Sequence, residues 1–241
     1  QKTQHKKKYR ERTDENKNKQ DTQYRMPAEI AETLSKWFYE GKYCSADFKK
    51  GMTGSLPFLS SKPFIIVDTS RAGERRYEES VSGKTGYKND LEAEIVMKII
   101  EGIKLCPECI KHLMIDVGDV VEGDISSAIG VISAYKLQIS VIREKLKGII
   151  SEFSAINAAA TLDSFQGQER RLIIYSFTRS SAQKNNLKRI GFLKELRRLN
   201  VAMSRCTQTL VMIGDMEFLS SCTYIPTNDD ANDEDIQSEE R

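Results

Sequence analysis

One stretch of the sequence has residues of the types that bind nucleotide phosphates. Gly83-Lys84-Thr85 matches the end of the GxxxxGK[ST] pattern, in which backbone amides and a lysine hold phosphate oxygens. Position 78 is Glu78 where the pattern needs its first glycine, and no hydrophobic strand runs into the segment. We therefore interpret the segment as an exposed loop, and we expect the chain to have no phosphate-binding loop of its own.

The cysteines are the second set of side chains that could do chemistry. Five are present, at positions 44, 106, 109, 206 and 222, and this odd number favours free thiols in a reducing compartment. Cys106 and Cys109 form a CxxC pair, but a structural zinc site needs a second pair of ligands and only His112 lies close in the sequence. We expect free thiols and no metal site.

Short apolar runs typical of strands alternate with longer amphipathic segments typical of helices. The strand-like runs are residues 64–67, 129–132, 172–177 and 209–213, and the helix-like segments are residues 28–41, 91–103, 136–149 and 195–204. Strands separated by helices of this length predict a mostly parallel sheet with helices on both faces. The predicted fold class is therefore α/β.

In such a sheet, ligands bind beyond the carboxyl ends of the strands, because loops and helix N-termini present unpaired N–H groups there. The polar residues that follow the predicted strands are Asp68-Thr69, Ser133-Ala134-Tyr135, Thr178-Arg179 and Gly214-Asp215. We therefore expect the chemistry of the protein to lie in these loops.

Four separated stretches resemble, in their order along the chain, the motifs of one family. They are residues 23–27 (QYRMP), 129–135 (IGVISAY) with Gln138, 161–169 (TLDSFQGQE) and 190–205 (IGFLKELRRLNVAMSR). Together they resemble the C-terminal RecA-like half of superfamily 1B helicases, the group that includes the nonsense-mediated-decay helicase and senataxin. The resemblance covers residues 22–215. It implies a RecA-like three-layer α/β/α sandwich, the second motor domain of a helicase.

By this resemblance, two arginines are the catalytic residues. Arg25 and Arg205 match the arginine fingers that reach across an interdomain cleft to the γ-phosphate bound by the partner domain. Phosphoryl transfer depends on positioning and on neutralising charge on the transferred group. A guanidinium group is permanently charged and can meet two phosphate oxygens at once.

Four further residues match nucleotide-binding positions of the family. Tyr24 would stack on the adenine base, or it could instead cap the core of the helix that follows. Gly167 would allow close backbone approach to the phosphates, and Glu169 would bond the ribose or orient a finger; a tight turn between strands is the alternative for both. Gln166 would link the nucleotide and nucleic-acid sites, or would make an ordinary buried hydrogen bond.

A second set of residues matches the nucleic-acid-binding positions of the family: Ser133, Tyr135, Thr161, Asp163, Ser164 and Asn200. Small hydroxyls and backbone amides that contact phosphates fix the register of a single strand without reading its sequence. Where the family has Thr-Pro-Tyr, this chain has Ser133-Ala134-Tyr135, which keeps a hydroxyl and loses the rigid turn. For Asn200 an ordinary buried hydrogen bond is again the alternative.

The resemblance implies a motor that needs a second domain. An upstream RecA-like P-loop domain in the same polypeptide would bind ATP with Mg²⁺, and the two would move 5′-to-3′ on single-stranded RNA or DNA. This chain alone is expected to be inactive, because the groups that hold phosphate and Mg²⁺ are missing. Two alternatives stay open: a non-enzymatic helicase-derived nucleic-acid-binding or scaffolding domain, and an independent flavodoxin-like nucleotide-binding protein, which would need a phosphate loop.

The two ends of the chain differ from the rest in composition. Residues 1–21, rich in Lys and Arg, are expected to be a disordered basic linker, and residues 223–241, rich in Asp and Glu, a disordered acidic tail. The RecA-like domain is expected at 22–222. No apolar run approaches the ~18 residues that span a bilayer. The chain starts at Gln1 without a signal peptide, so we expect part of a longer intracellular protein, cytoplasmic or nuclear, without a membrane partner.

Overall fold

The computed structural model describes residues 22–46, 56, 58–114, 125–165, 167–181 and 196–221, with only the backbone described at 196 and 197. The expected basic linker (1–21) and acidic tail (223–241) lie outside these ranges. So do Gln166 and the first six residues of the fourth motif, 190–195.

The described residues form seven strands in two parallel sheets. β1 (Thr22–Gln23) pairs with β2 (Cys44–Ser45) in a small ladder. The central sheet contains β3 (Phe64–Asp68), β4 (Ile129–Ser133), β5 (Ala159–Thr161), β6 (Arg170–Ser176) and β7 (Cys206–Gly214). Its order is β3-β7-β6-β4-β5, and every neighbouring pair is parallel. The predicted α/β class with a mostly parallel sheet is confirmed.

The helices of the described residues are α1 (Ala28–Phe38), α2 (Asp90–Lys104), α3 (Pro107–Met114), α4 (Lys136–Leu146), α5 (Glu152–Ala158), α6 (Leu196–Met203) and α7 (Met216–Ser221). The sequence predicts α1, α2, α4 and α6. It misses α3, α5 and α7, because a helix of two turns shows too little of its period to be recognised. None of the helices in the described ranges is long and apolar enough to cross a membrane.

Side chains alternate between the two faces of the central sheet, as the two-residue period of a strand requires. On β6, Leu172 and Ile174 join a core formed with α2, α3, α4 and α5, whereas Ile173 and Tyr175 join a core formed with α1 and α6. All four side chains are buried, because helices cover both faces of the sheet. The molecule is therefore the predicted three-layer α/β/α sandwich.

Local sequence explains where two helices begin. Asn89 caps α2, because its side-chain oxygen accepts a hydrogen bond of 3.1 Å from the backbone N–H of Glu92. Pro27 lies directly before α1, where its missing N–H costs no helical hydrogen bond. α1 then buries Ile30 and Leu34 against the sheet, and this packing fixes the loop at residues 24–27 beside the central strands.

Cys106 and Cys109 differ from expectation. They form a disulfide, where the sequence predicts two free thiols. Cys106 lies between α2 and α3, and the first turn of α3 brings Cys109 back to it with the Cα atoms 5.2 Å apart, a separation that a disulfide spans. Cys44 and Cys206 are free, as predicted.

Candidate functional site

Three residues predicted to act on a nucleotide lie together at the amino-terminal edge of the central sheet. Glu169 precedes β6, Arg205 precedes β7, and Arg25 reaches them from the loop between β1 and α1. Nη2 of Arg25 lies 2.5 Å from Oε1 of Glu169, and Nη1 donates to the carbonyl of Ser204 at 3.0 Å. These contacts place Arg25 in direct contact with Glu169 and beside the backbone of Arg205. We call these three residues the arginine cluster.

Gln23 holds the backbone that carries Arg25. Its side chain is buried, and Oε1 accepts from the backbone N–H groups of Arg25 at 2.9 Å and Met26 at 2.7 Å. Nε2 donates to the carbonyl of Met26 at 2.9 Å and to the hydroxyl of Ser45 at 2.7 Å. An amide suits this position because it donates and accepts at once. The sequence predicts no role for Gln23, because its bonds to the turn and to Ser45 depend on the pairing of β1 with β2.

Arg205 follows the last turn of α6 and is partly buried. Its backbone is fixed, because its N–H donates to the carbonyl of Ala202 at 3.2 Å and its carbonyl accepts from the N–H of Arg170 at 3.1 Å. Its Nε is buried and has no hydrogen-bond partner among the described residues. A buried cationic donor without an acceptor is costly, so this side chain is suited to meet an anion from outside the chain.

Two other residues predicted to bind nucleotide lie near the arginine cluster in the sequence. Tyr24 is 62% exposed, so its ring does not cap the core of α1. Gly167 has a φ of +83°, in the left-handed region that favours glycine, and a Cβ there would meet no atom within 4 Å. The backbone at Gly167 is therefore open to close approach. Gln166, the remaining predicted nucleotide contact, lies outside the described residues.

The segment between β5 and β6 crosses one face of the central sheet. β5 ends at Thr161 on the carboxyl edge, and β6 begins at Arg170 on the amino edge. Between them the ring of Phe165 lies over Gly130, where an added Cβ would be 2.4 Å from the ring. The missing side chain at Gly130 thus leaves room for the crossing segment (162–169).

The arginine cluster lies away from the edge where the sequence analysis expects chemistry, and the crossing segment explains this difference. The sequence places the chemistry at the carboxyl ends of the strands, whereas the arginine cluster lies at the amino ends of β6 and β7. The usual rule concerns loops that leave a strand at its carboxyl end and stay there. A short segment that runs back over the sheet delivers its residues to the opposite edge, and hydrophobic periodicity does not show this.

Three predicted nucleic-acid contacts lie at the start of the crossing segment. The hydroxyls of Thr161 and Ser164 are 2.9 Å apart, and Asp163 forms an ion pair of 3.5 Å with Arg198 of α6. The two hydroxyls line an open groove of about 460 Å³ beside α4 and α5. The charged residues that line this α4–α5 groove are Lys136, Arg143, Glu144, Lys147 and Glu152.

The other three predicted nucleic-acid contacts are less accessible. Asn200 donates to the hydroxyl of Tyr39 at 2.7 Å, and its Oδ1 is buried without a hydrogen-bond partner among the described residues. Ser133 is fully buried, with its hydroxyl 2.9 Å from that of Thr178, and Tyr135 is 4% exposed. The hydroxyl of Ser133 is therefore not open to a phosphate in this structure, because it is fully buried against Thr178.

Glu92 is the centre of a buried polar network at the carboxyl edge that the sequence does not predict. Its Oε2 accepts from the hydroxyl of Ser176 at 2.6 Å and from the N–H of Thr178 at 2.9 Å. Gln138 adds to the network by donating to the hydroxyl of Ser176 at 3.0 Å. Thr178 has a φ of +71°, which a β-branched residue rarely adopts, and its bonds to Glu92 and Ser133 hold it there.

Burial raises the pKa of Glu92 to about 8, because the low-polarity surroundings disfavour the charged carboxylate. The hydrogen bonds that Glu92 accepts oppose this shift, and the nearby carboxylates of Asp215 and Glu78 add to it. Asp215 pairs with Arg76 at 3.3 Å, and Glu78 pairs with Arg179 at 3.3 Å. Glu92 is therefore mostly neutral at pH 7.

The segment Gly83-Lys84-Thr85 lies in a turn between Glu79 and Lys88, which pair as an antiparallel bridge. Among the described residues no strand runs into it, so the interpretation as a loop holds. Over the same ranges, no group of three or more His, Cys, Asp or Glu side chains could hold a metal ion. The arginine cluster suits phosphate oxygens, because guanidinium groups form charge-assisted hydrogen bonds with them.

Comparisons with known proteins agree with this architecture. A family model described as an AAA domain matches residues 2–217. The DNA polymerase alpha-associated DNA helicase A of Saccharomyces cerevisiae is 35% identical over 209 residues, which cover 84% of this chain and 28% of that protein. Helicase sen1 of Schizosaccharomyces pombe is 30% identical over 201 residues, which cover 83% of this chain and 11% of that protein.

A third relative is named as a DNA-binding protein, whereas the first two are named as helicases. DNA-binding protein SMUBP-2 of Rattus norvegicus is 29% identical over 211 residues, which cover 85% of this chain and 19% of that protein. The chain thus spans less than a third of the length of each of these relatives. The family model covers most of the chain, and the parallel sheet and the motif order agree with it. The chain belongs to this AAA-domain family and is a senataxin-like superfamily 1B helicase domain.

Proposed function

We propose that this chain is the half of an ATP-driven helicase motor that supplies arginine fingers and holds a single strand of RNA or DNA. Its partner is an upstream RecA-like domain in the same polypeptide, which has the P-loop and binds ATP with Mg²⁺. The motor moves 5′-to-3′, as the superfamily 1B resemblance implies, and works in the cytoplasm or nucleus. In support, two of the relatives are named as helicases and are several times longer than the matched region.

The observation that carries the proposal is the contact of Arg25 with Glu169 and with the carbonyl of Ser204, the residue directly before Arg205. Glu169 holds the guanidinium of Arg25 in one orientation, and the Nε of Arg205 has no acceptor among the described residues. The cluster contains two permanently charged guanidinium groups and one carboxylate, so its net charge at this edge of the sheet is positive. When the partner domain presents the γ-phosphate of ATP to this edge, the guanidinium groups neutralise the charge on the transferred phosphoryl group.

Three residues complete the proposed nucleotide site. The exposed ring of Tyr24 offers a flat apolar face to the adenine base. The open backbone at Gly167 allows the phosphates to approach. Gln166, the residue before it in the sequence, is proposed as a further nucleotide contact. Mg²⁺ is held by the partner domain, because the arginine cluster is itself cationic.

The single strand is proposed to pass the hydroxyls of Thr161 and Ser164 and to enter the α4–α5 groove. Lys136 lines this groove and is exposed, so it can neutralise a phosphate. Contacts of this kind bind the sugar-phosphate backbone of the nucleic acid and do not distinguish its bases. Asp163, which lies between Thr161 and Ser164 in the sequence, and Asn200 of α6 are proposed as two further contacts to the nucleic acid.

Ser133 and Tyr135 are proposed to contribute to nucleic-acid binding through the backbone of the loop that contains them. The hydroxyl of Ser133 lies 2.9 Å from that of Thr178 and accepts from the N–H of Tyr135 at 3.3 Å. These bonds fix the conformation of the loop that leads into α4. We therefore assign Ser133 a positioning role, with the loop backbone making the contact to nucleic acid.

The crossing segment provides a physical link between the two proposed sites. It begins at Thr161, packs through Phe165 on the sheet at Gly130, and ends at Glu169 in the arginine cluster. Leu162 and Phe165 anchor the segment on the sheet, and we propose that a shift at one end of it is passed through these two buried side chains to the other end. Movement of the nucleic acid at Thr161 would thus change the position of Arg25. ATP hydrolysis would in turn change the contacts to the nucleic acid.

The test uses the longer parent protein as wild type, Arg205→Ala and Arg75→Ala. ATP hydrolysis is measured with and without single-stranded RNA or DNA. The stimulated rate of Arg205→Ala is expected to fall by roughly a hundredfold or more, as for the loss of an arginine finger. Arg75→Ala is the matched control, because Arg75 forms only a surface ion pair, with Glu94. This variant is expected to hydrolyse ATP at the wild-type rate.

Two outcomes would contradict the proposal. One is a parent protein that shows no nucleic-acid-stimulated hydrolysis, and the other is an Arg205→Ala variant that is as active as wild type. Binding of a fluorescent single-stranded oligonucleotide is measured in parallel. Binding without hydrolysis would favour the non-enzymatic nucleic-acid-binding domain in place of the motor.

A further inference from the structure

The Cys106–Cys109 disulfide lies at the junction of α2 and α3, which contributes no residue to the proposed motor site. The junction is short, since α2 ends at Lys104 and Pro107 opens α3. No part of the proposed motor function uses these sulfur atoms. Their chemistry therefore has to be judged from their own surroundings.

The two sulfur atoms differ in access. Cys106 is partly buried, and the residue before it, Leu105, is 79% exposed. Cys109 is fully buried and lies with Leu113 in the core beneath α3. Because Cys106 is partly exposed and Cys109 is fully buried, a thiol that arrives from solvent is expected to meet Cys106 first.

The start of α3 favours a thiolate at Cys106. The backbone N–H of Cys109 donates to Sγ of Cys106 at 3.2 Å. Cys106 also directly precedes the helix, where the partial positive charge of the helix N-terminus favours an anion. Amide donors at a helix N-terminus are a known cause of reactivity in CxxC cysteines, because the thiolate is the reactive form.

We infer that Cys106 and Cys109 form a reversible thiol-exchange site for a low-molecular-weight thiol of the glutathione class. In reduction, the thiolate of one such molecule attacks Sγ of Cys106, the bond to Cys109 breaks, and Cys109 leaves and takes up a proton. A second thiolate attacks the external sulfur of the mixed disulfide and releases Cys106 as a thiolate. The pair gains two electrons, and the two small thiols leave as one disulfide.

Reduction is expected to leave the fold intact. Cys109 and Leu113 stay packed in the core whether or not the sulfurs are joined. The bond also closes a very short loop, with a sequence separation of 3, so it restricts the unfolded chain little. The site can thus change redox state in the native protein.

The test uses the full chain with Cys44→Ser and Cys222→Ser, which removes one exposed thiol and one outside the described residues. The protein is equilibrated in buffers of fixed ratio of reduced to oxidised glutathione, quenched in acid, and alkylated in denaturant. Mass spectrometry is expected to count one label at the oxidised end, on Cys206, and three at the reduced end. Species with two labels stay rare, because the two cysteines change together.

Two single variants in the same background test which sulfur is attacked. Native Cys109→Ser protein, which keeps the accessible Cys106, is expected to gain one glutathione in oxidised glutathione. Native Cys106→Ser protein, which keeps the buried Cys109, is expected to gain none. Circular dichroism checks that both variants are folded, so that the comparison concerns access alone.

Three results would overturn the inference. Three labels in fully oxidised glutathione would mean that the disulfide does not form in solution. A single label in fully reduced glutathione would mean a structural disulfide that does not exchange. Equal glutathione addition to the two folded variants would mean that Cys106 is not the preferred point of attack.

Discussion

The carboxyl group of Glu92 is buried among apolar helices and strands, and this affects stability in a direction that pH can test. Its pKa is raised from 4.5 to about 8 in the folded protein, so the folded state binds the proton more tightly than the unfolded state does. Between these two pH values the unfolded state holds fewer protons, and stability falls as pH rises. The stabilisation is fully present below the unfolded pKa and is lost as pH rises through about 8.

We predict that Glu92→Gln removes this pH dependence. Glutamine keeps an oxygen that accepts from Ser176 and Thr178, and it has no proton to lose. Between about pH 5 and pH 9, the free energy of unfolding of wild type should fall by a few kcal/mol more than that of the variant, on the order of the shift at Glu92. Urea unfolding at several pH values measures the difference.

The control for this prediction is Glu101→Gln on the same helix, where the side chain is exposed. The charged neighbours of Glu92, which are Arg76, Glu78, Arg179 and Asp215, are the same in all three proteins, so their titration cancels. Equal pH slopes for Glu92→Gln and wild type would show that Glu92 is charged at neutral pH in the folded chain.

Tyr24 gives a second prediction at the scale of one residue. If its exposed ring stacks on adenine, Tyr24→Ala in the parent protein weakens ground-state binding of ATP by about 1–3 kcal/mol. We expect KM for ATP to rise by roughly tenfold or more with kcat largely kept, because stacking is far from the transferred phosphate. Tyr24→Phe keeps the ring and should behave as wild type. An unchanged KM in Tyr24→Ala would place the adenine elsewhere.

At the scale of elements, the sequence predicts the strands and helices that have a clear hydrophobic pattern. β4 and β6 are continuous apolar runs because both faces of the sheet are covered, and α2 has a regular apolar face. β5 is three residues of Ala-Ala-Thr and shows no pattern of its own. Its place in the sheet comes from pairing with β4, which is a tertiary contact.

The residues of the proposed site could be predicted from the sequence, but the contacts between them could not. Motif order indicates which residues belong to it, but the contact between Arg25 and Glu169 depends on the path of the crossing segment. Glu92 carries a weak signal, a carboxylate next to buried Ala93 and Val96 on α2, since a charge on an apolar face needs a buried partner. The left-handed backbone at Thr178 has no signal in a sequence, because it arises from hydrogen bonds between distant elements.

The packing of Phe165 on β4 leads to the prediction at this scale. In Gly130→Ala, the new Cβ would lie 2.4 Å from the ring of Phe165 and 2.8 Å from Cδ1 of Ile173, so the crossing segment has to move. We expect a loss of about 1–3 kcal/mol in stability from overpacking. Chemical unfolding measures this loss, and the ATP hydrolysis of the parent protein should fall because Glu169 shifts.

Gly148→Ala is the matched control, because its Cβ would lie 3.6 Å from the nearest backbone oxygen, an ordinary contact. Adding Phe165→Leu to Gly130→Ala makes room for the methyl group and is expected to restore part of the stability. A Gly130→Ala variant as stable as Gly148→Ala would mean that the crossing segment is loosely held, contrary to the proposed link between the two sites.

For the whole molecule, the two proposed sites lie at opposite edges of the parallel sheet. The arginine cluster is at the amino edge of β6 and β7, and the α4–α5 groove opens near the carboxyl ends of β4 and β5. The crossing segment is the covalent route between them, and Leu162 and Phe165 hold it against the sheet through the core that it shares with α1 and α6. The proposed motor function needs this arrangement, because ATP and the nucleic acid bind at separate sites and the binding at one site must affect the other.

The two cores also predict the limits of the folding unit. Their buried side chains run from Met26 in the first loop to Val211 and Ile213 in β7, and Phe218 of α7 is buried as well. We therefore expect a chain of residues 22–221 to unfold cooperatively, with a midpoint within roughly 2 °C of the full chain, which is under about 1 kcal/mol for this size. A chain that starts at residue 40 lacks α1, exposes the second core, and is expected to aggregate. Calorimetry and light scattering distinguish these cases, and a midpoint lowered by roughly 5 °C or more in 22–221 would show that the ends add to the fold.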